Sequence, residues 1–159
     1  MKKYDAVIIG FGKGGKTLAG KLAGQGKKVA MIEKDAGMYG GTCINVGCIP
    51  SKSLVRSSGL AFNKKDASLE ERAADYEAAI DEKRRLTSML REKNFKKLDD
   101  LANVDVYNGT ASFVSNTVVE IKTSEETLEI EGEKIFINTG GTPVIPPIKG
   151  LEGNPYVYT

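Results

Sequence analysis

Gly10-Phe11-Gly12-Lys13-Gly14-Gly15 lies between an apolar run, Ala6-Val7-Ile8-Ile9, and a segment with helical spacing, Lys16-Thr17-Leu18-Ala19-Gly20-Lys21-Leu22-Ala23. A β-rich apolar run suits a central parallel strand, so the order is strand, glycine turn, helix. Gly24-Gln25-Gly26 ends the helix, Lys28-Val29-Ala30-Met31-Ile32 supplies a second strand, and Glu33 stands at its end. The glycine spacing alone is weak evidence. With the strand before, the helix after and the acid roughly 20 residues on, it specifies a dinucleotide-binding βαβ unit. Gly10 permits the tight turn, Gly12 lets a pyrophosphate approach the backbone, and Gly15 lets the helix lie against the strand. The amides of Gly12 to Gly15 open the helix toward an anion. The Glu33 carboxylate can accept from both hydroxyls of an adenosine ribose and would repel a 2′-phosphate. A glycine-rich turn that binds nothing leaves the acid and the flanking elements unexplained.

Gly41-Thr42-Cys43-Ile44-Asn45-Val46-Gly47-Cys48-Ile49-Pro50-Ser51-Lys52 begins soon after Glu33 and holds both cysteines of the chain. A bridge enclosing so few residues adds little stability, because loop-closure entropy grows with loop length. What a tight pair offers is reversible two-electron chemistry. A thiolate near a helix N-terminus is stabilised by the helix dipole and by unpaired amides. Lys52, one helical turn after Cys48, can add positive charge on the same face.

This stretch resembles the redox-active site of the pyridine nucleotide-disulfide oxidoreductases, the family of dihydrolipoamide dehydrogenase, glutathione reductase and mercuric reductase. Phe11-Gly12-Lys13, Met38-Tyr39-Gly40 and Lys134-Ile135-Phe136-Ile137-Asn138-Thr139-Gly140 are most similar to the bacterial branch near mercuric reductase that includes the reactive-chlorine-resistance flavoprotein. The resemblance implies a Rossmann-like α/β fold, with a parallel sheet, helices and a small antiparallel β-meander. It implies FAD as cofactor, with the pyrophosphate on Gly10, Gly12, Lys13, Gly14 and Gly15, and the adenosine on Glu33 with Lys34 beside it. Gly41, Thr42, Cys43 and Lys52 belong to the same implied set. Thr110 and Ala111 would offer main-chain contacts to the adenine. Thr139 and Gly140 match the family's second FAD segment, usually Ala-Thr-Gly, except that Asn138 replaces the alanine. The implied catalytic residues are Cys43, Cys48 and Lys52. Electrons would pass from NAD(P)H through FAD to a Cys43–Cys48 disulfide, with Cys48 nearer the flavin, Cys43 the outer thiol and Lys52 stabilising negative charge.

Composition narrows the alternatives. The 159 residues suit one domain, and an apolar content of 40% is ordinary for a globular chain. Twenty-three basic residues against 21 acidic ones leave a net charge of +2, with no basic stripe for nucleic acid. No apolar run approaches the roughly 20 residues that span a bilayer. The N-terminus does not read as a signal peptide, so a reducing cytoplasm is expected, where a close cysteine pair is catalytic rather than structural. There is no histidine, which removes the commonest general base and metal ligand, and no Cys-x-x-Cys spacing supports zinc.

Further along, a helix is expected through Lys52-Ser53-Leu54-Val55-Arg56, weakened by Gly59 and Asn63, with a turn at Asn63 to Asp66. A charged helical excursion follows over about 66–102, presenting Tyr76, Ile80, Leu86, Leu90 and Leu98 on one face and a candidate break at Asn94. A meander is expected over about 104–131, then a separate buried strand at Lys134 to Asn138. Residues 1–150 thus read as the N-terminal part of an FAD-binding domain, and 151–159 as the start of a linker to a nicotinamide-binding domain. Family members are homodimers, and the acceptor would be a metal ion, an oxidant or a disulfide. Two other readings stay open: a redox-sensor module without turnover, and a bare dinucleotide-binding module.

Overall fold

The computed structural model describes residues 1–157, so Tyr158 and Thr159, the end of the expected linker, lie outside the described residues. The elements run β1 (Lys2–Ile9), α1 (Lys13–Gly24), β2 (Val29–Glu33), a 3-10 turn (Ala36–Met38), α2 (Thr42–Asn45), α3 (Cys48–Phe62) and α4 (Leu69–Asp99). Then come β3 (Val104–Asn108), β4 (Thr110–Phe113), β5 (Val118–Lys122) and β6 (Thr127–Ile137). One six-stranded sheet in the order β3-β2-β1-β6-β5-β4 carries them all. The β3, β2, β1 and β6 strands pair in parallel, whereas β5 is antiparallel to both β6 and β4. The architecture is mixed α/β, as the strand–glycine–helix order requires.

The middle strand explains why β1 must be apolar on both sides. Ala6 and Ile8 join Phe11, Ala19, Val29, Met31 and Leu98 in the core under the helices. Val7 points the other way, with Ala30, Ile32, Val119, Ile121 and Ile130, beneath the meander. Period-two alternation thus feeds two cores from one strand.

Three expectations need correction. Val104–Asn108 is not part of the meander: it pairs parallel to β2, Val104 opposite Val29 and Asn108 opposite Glu33. The strands expected near Thr127 and near Lys134 are one, β6, whose first part pairs with β5 and whose length pairs with β1. Gly132 lies at the crossing, where an added Cβ would stand 2.6 Å from Val7 Cγ2, so the strand passes there only as glycine. The α4 helix, finally, does not break at Asn94. Ser68 and Glu71 form a full capping box at its start. Of the residues expected on one face, Tyr76 is 66% exposed, whereas Leu98 is buried. Likewise α3 continues through Gly59 to Phe62. No described helix is long and apolar enough to cross a membrane.

Away from the glycine end, Tyr4 on β1 is buried and donates its hydroxyl to Asp105 on β3, with the Tyr107 hydroxyl 2.6 Å away. Lys2 adds an ion pair to Asp105 at 3.3 Å. The Tyr4 hydroxyl first, then Lys2, holds the Asp105 carboxyl below the usual carboxylate range. A depressed folded pKa gives stability that is present above the unfolded value, about pH 4, and lost as pH falls through the folded value. Asp105→Asn is therefore expected to lower stability by about 1 kcal/mol at neutral pH, a charged hydrogen bond discounted for partial exposure. Denaturant midpoints taken across the acid range should show that gap closing; a gap independent of pH contradicts this origin.

Candidate functional site

At the ends of β1, β2 and β6 a cavity of about 400 Å³ opens between the glycine loop, Glu33 and the start of the meander. The chain can turn there because Gly10 has φ +105°, and its missing Cβ would sit 2.3 Å from the Asn138 carbonyl oxygen. Gly15 likewise has no room, since a Cβ would meet the Gly10 carbonyl oxygen at 2.5 Å. The helix is thereby drawn onto the strand ends. Gly12 caps α1 without any side-chain hydrogen bond, and the first turn of α1 holds no acid. The first amides of α1 thus have no side-chain cap beside the cavity that Gly12 lines, an arrangement that favours an anion.

Glu33 is held at the rim by two amides, Phe11 N–H at 2.9 Å and Asp35 N–H at 3.2 Å. A carboxylate has about four acceptor sites, so lone pairs remain for hydroxyl donors. Glu33 therefore both ties the glycine loop to β2 and offers an acceptor to the cavity.

The cysteine loop is built onto this floor. Gly40 N–H donates to the Phe11 carbonyl at 3.1 Å. At Gly41, φ is +82° and a Cβ would stand 2.8 Å from Gly12 Cα, so the two loops touch backbone to backbone. Tyr39 packs between Phe11 and Phe95, with ring centroids at 5.1 and 4.7 Å, which brings α4 over the loop. Asn45 is the hub: its Nδ2 donates to the Tyr39 and Gly41 carbonyls at 3.1 and 3.0 Å. Arg91 on α4 donates to Asn45 Oδ1 at 2.9 Å, and Lys16 on α1 donates to Asn94. Cys43 lies half-buried in the four-residue α2, and Cys48 is exposed in the first turn of the 15-residue α3. The structure holds them as separate thiols. The neighbouring Cys48 thiol first, then burial, raises the Cys43 thiol above its ordinary range, while Lys13 pulls it down.

Of the residues expected from sequence, Gly10, Gly12, Glu33, Lys34, Gly41, Thr42, Thr110, Ala111, Thr139 and Gly140 line the one cavity. Lys13, Gly14 and Gly15 form the first turn of α1 behind it. Cys43 and Cys48 follow the rim residues Gly41 and Thr42, and Lys52 is an exposed residue one turn along α3. Cavity residues outside that set include Asp35, Met38, Gly109 and Asn138. Asn45 and Arg91 were also outside it. Asn45 sits inside the cysteine motif, but Arg91 lies in a charged helix where nothing in the spacing distinguishes it.

Removing the main cause of the raised Cys43 thiol is expected to expose it. Since the thiolate is the nucleophile, Cys48→Ala should increase alkylation of Cys43 by iodoacetamide several-fold near neutral pH and move the midpoint of its rate–pH profile down. An unchanged midpoint would show that the two thiols do not interact.

The family profile described as pyridine nucleotide-disulphide oxidoreductase matches residues 4–158. The Escherichia coli (strain K12) protein named probable pyridine nucleotide-disulfide oxidoreductase RclA is 49% identical over 158 residues, 99% of this chain and 33% of its own length. Mercuric reductase of Lysinibacillus sphaericus is 36% identical over 159 residues, 97% of this chain and 28% of its own length. The solved Cu(II) complex of the HOCl-induced flavoprotein disulfide reductase RclA from E. coli superposes with a TM-score of 0.83 at 48% identity, covering 98% of this chain and 32% of that one. The chain thus spans about a third of the length of these relatives. A profile match over nearly the whole chain, together with this fold, places the protein in the pyridine nucleotide-disulphide oxidoreductase family.

Proposed function

We propose that this chain forms the FAD-binding part of an NAD(P)H-dependent flavoprotein disulfide oxidoreductase, with Cys43 and Cys48 as its redox pair. The observation that carries this reading is the backbone contact of Gly41 with Gly12, which puts the cysteine loop at the edge of the dinucleotide cavity. A sensor or a bare binding module needs no such union of the two loops. The residues fit FAD in kind: uncapped helix amides for a diphosphate, Glu33 for a ribose, and the main chain at Thr110 and Ala111 for an adenine. When bound, FAD supplies two-electron transfer from reduced nicotinamide to the cysteine pair.

The protein's own residues do the rest. The first turn of α1, Lys13 to Gly15, neutralises diphosphate charge, with Thr139 and Gly140 closing the cavity opposite. Glu33, with Lys34 beside it, orients the adenosine ribose and disfavours a 2′-phosphate. Gly41 and Thr42 fix the start of the cysteine loop. In the oxidised state Cys43 and Cys48 share a disulfide; two electrons break the S–S bond, and with two protons from solvent leave two thiols. Cys48 stays at the helix N-terminus on the cofactor side, where Lys52 stabilises negative charge. Cys43, on the outer side, meets the acceptor, and re-forming the bond returns two electrons to it. Mercuric reductase and an HOCl-induced flavoprotein disulfide reductase among the relatives favour a metal ion or an oxidant as that acceptor. The relatives' greater length leaves room for a nicotinamide-binding domain after residue 150, and dimerisation and a cytoplasmic setting complete the reading.

The test is an absorption spectrum of the full-length protein after incubation with FAD and gel filtration. Flavin bands are expected to persist, and a colourless protein would sink the proposal. Cys48→Ser is then expected to keep those bands and lose NAD(P)H-driven reduction of the acceptor; retained turnover would reassign the pair to a non-catalytic role.

A further inference from the structure

The glycine loop carries one more glycine than its turn requires. Gly14 is helical, has no positive φ, and is not one of the three positions of the Gly-x-Gly-x-x-Gly pattern. Alanine is the better helix former, so the position calls for a reason. That reason is Asn138. Its carboxamide is wedged inside the loop: a Cβ on Gly14 would lie 3.0 Å from Oδ1, one on Gly12 would lie 2.9 Å from Nδ2, and one on Gly15 would lie 2.8 Å from Nδ2. The amide cannot swing away, because Nδ2 donates to the Gly10 carbonyl at 3.0 Å and the backbone N–H of Asn138 donates to Ile9 at 2.7 Å.

We propose that Asn138 is a positioning residue for the dinucleotide, a brace from β6 that fixes the glycine loop and the first turn of α1, and that Gly14 is glycine to admit it. This rests on the FAD reading for its functional consequence. The brace works in two ways. Nδ2 satisfies the Gly10 carbonyl at the sharpest point of the turn, and the planar carboxamide fills the space that three absent side chains leave. The amides of Lys13 to Gly15 are thereby held in one orientation before any diphosphate arrives, which lowers the ordering that binding would otherwise require. Its side-chain oxygen lies on the Gly14 side, next to the helix end that serves the anion.

The experiment is a double-mutant cycle on the full-length protein, Gly14→Ala and Asn138→Ala singly and together, read by thermal unfolding without FAD and by FAD titration. Gly14→Ala is expected to lower the unfolding midpoint in the wild-type background and to raise it in the Asn138→Ala background. Asn138→Ala is expected to weaken FAD binding roughly three- to tenfold, the equivalent of one neutral hydrogen bond. Asn138→Asp keeps the volume but loses the donor, so its affinity for FAD should fall further as pH rises through the carboxylate range, a dependence the Ala variant lacks. Additive effects of the two alanines, or FAD affinity indifferent to both changes at 138, would overturn the brace. Failure of the wild type to take up FAD would instead overturn the cofactor reading, while the unfolding cycle would still decide whether Asn138 and Gly14 are coupled.

Discussion

Everything at the functional end depends on how closely the first turn after β1 approaches the end of β6. No Cβ fits at Gly10 or Gly15, because the Asn138 carbonyl and the Gly10 carbonyl occupy those places. Such an approach is possible only where β1 and β6 are already neighbours in parallel register, Ile9 opposite Ile137. The sheet therefore comes first in the logic. Its two cores fix the strands, the strands fix the loop, and the loop brings the amides of α1 to the cavity. Gly10, Gly12 and Gly15 leave the space, and the long-range pairing of residues more than a hundred positions apart uses it.

The cysteine loop depends on a second long-range union, with α4. That helix has a strongly polar sequence and few buried residues, Thr87 and Leu98 among them, so packing alone does not explain its 31-residue length. Its second half carries Arg91, Asn94 and Phe95, which reach Asn45, Lys16 and Tyr39 in turn. Four chain segments, the glycine loop, the Tyr39 turn, α2 and α4, thus meet at the start of the cysteine loop. The exposed first half of α4, capped by its own Ser68 and Glu71, stabilises the helix without help from the core.

How much of this was legible in the sequence follows from the range of each interaction. The βαβ unit was readable because its signals are local: alternating apolar residues, glycine spacing, an acid at the strand end. The cavity residues contributed from far away, Thr110, Ala111, Thr139 and Gly140, were reached only through family resemblance, since sheet and turn residues carry no local mark of a ligand. The strand β3 was misassigned to the meander because Val-x-Val-Tyr alternation does not say which neighbour a strand will choose; β2 won, placing Asn108 beside Glu33. The continuity of β6 was hidden by Gly132 and the charged pair after it, which read as a turn but serve as the point where the strand passes Val7. Tyr76 follows the helical spacing of the apolar stripe yet is exposed, whereas Leu98 at the far end of the same stripe is buried. Asn138 shows in the sequence only as a departure from Ala-Thr-Gly, and its approach to Gly10, Gly12, Gly14 and Gly15 carries no local mark.

The helices of this one chain differ in how their N-termini are finished, and the difference tracks the site. The end of α4 is satisfied by its own side chains, Ser68 accepting from the Glu71 amide and Glu71 accepting from the Ser68 amide. The ends of α1 and α3 begin at Gly12 and Gly47, neither of which caps through a side chain, and neither first turn contains an acid. With glycine at the cap, each end forgoes roughly a few tenths of a kcal/mol relative to Ser or Asp. That loss makes physical sense where something else completes the helix. On the reading proposed above an anion would complete α1, while the first turn of α3 holds Cys48. The stretch of chain that leads to α3 is tied to the start of α1 by the contact of Gly41 with Gly12. The unpaired amides of α1, which the proposed reading gives to a dinucleotide, thus lie one loop away from the cysteine pair.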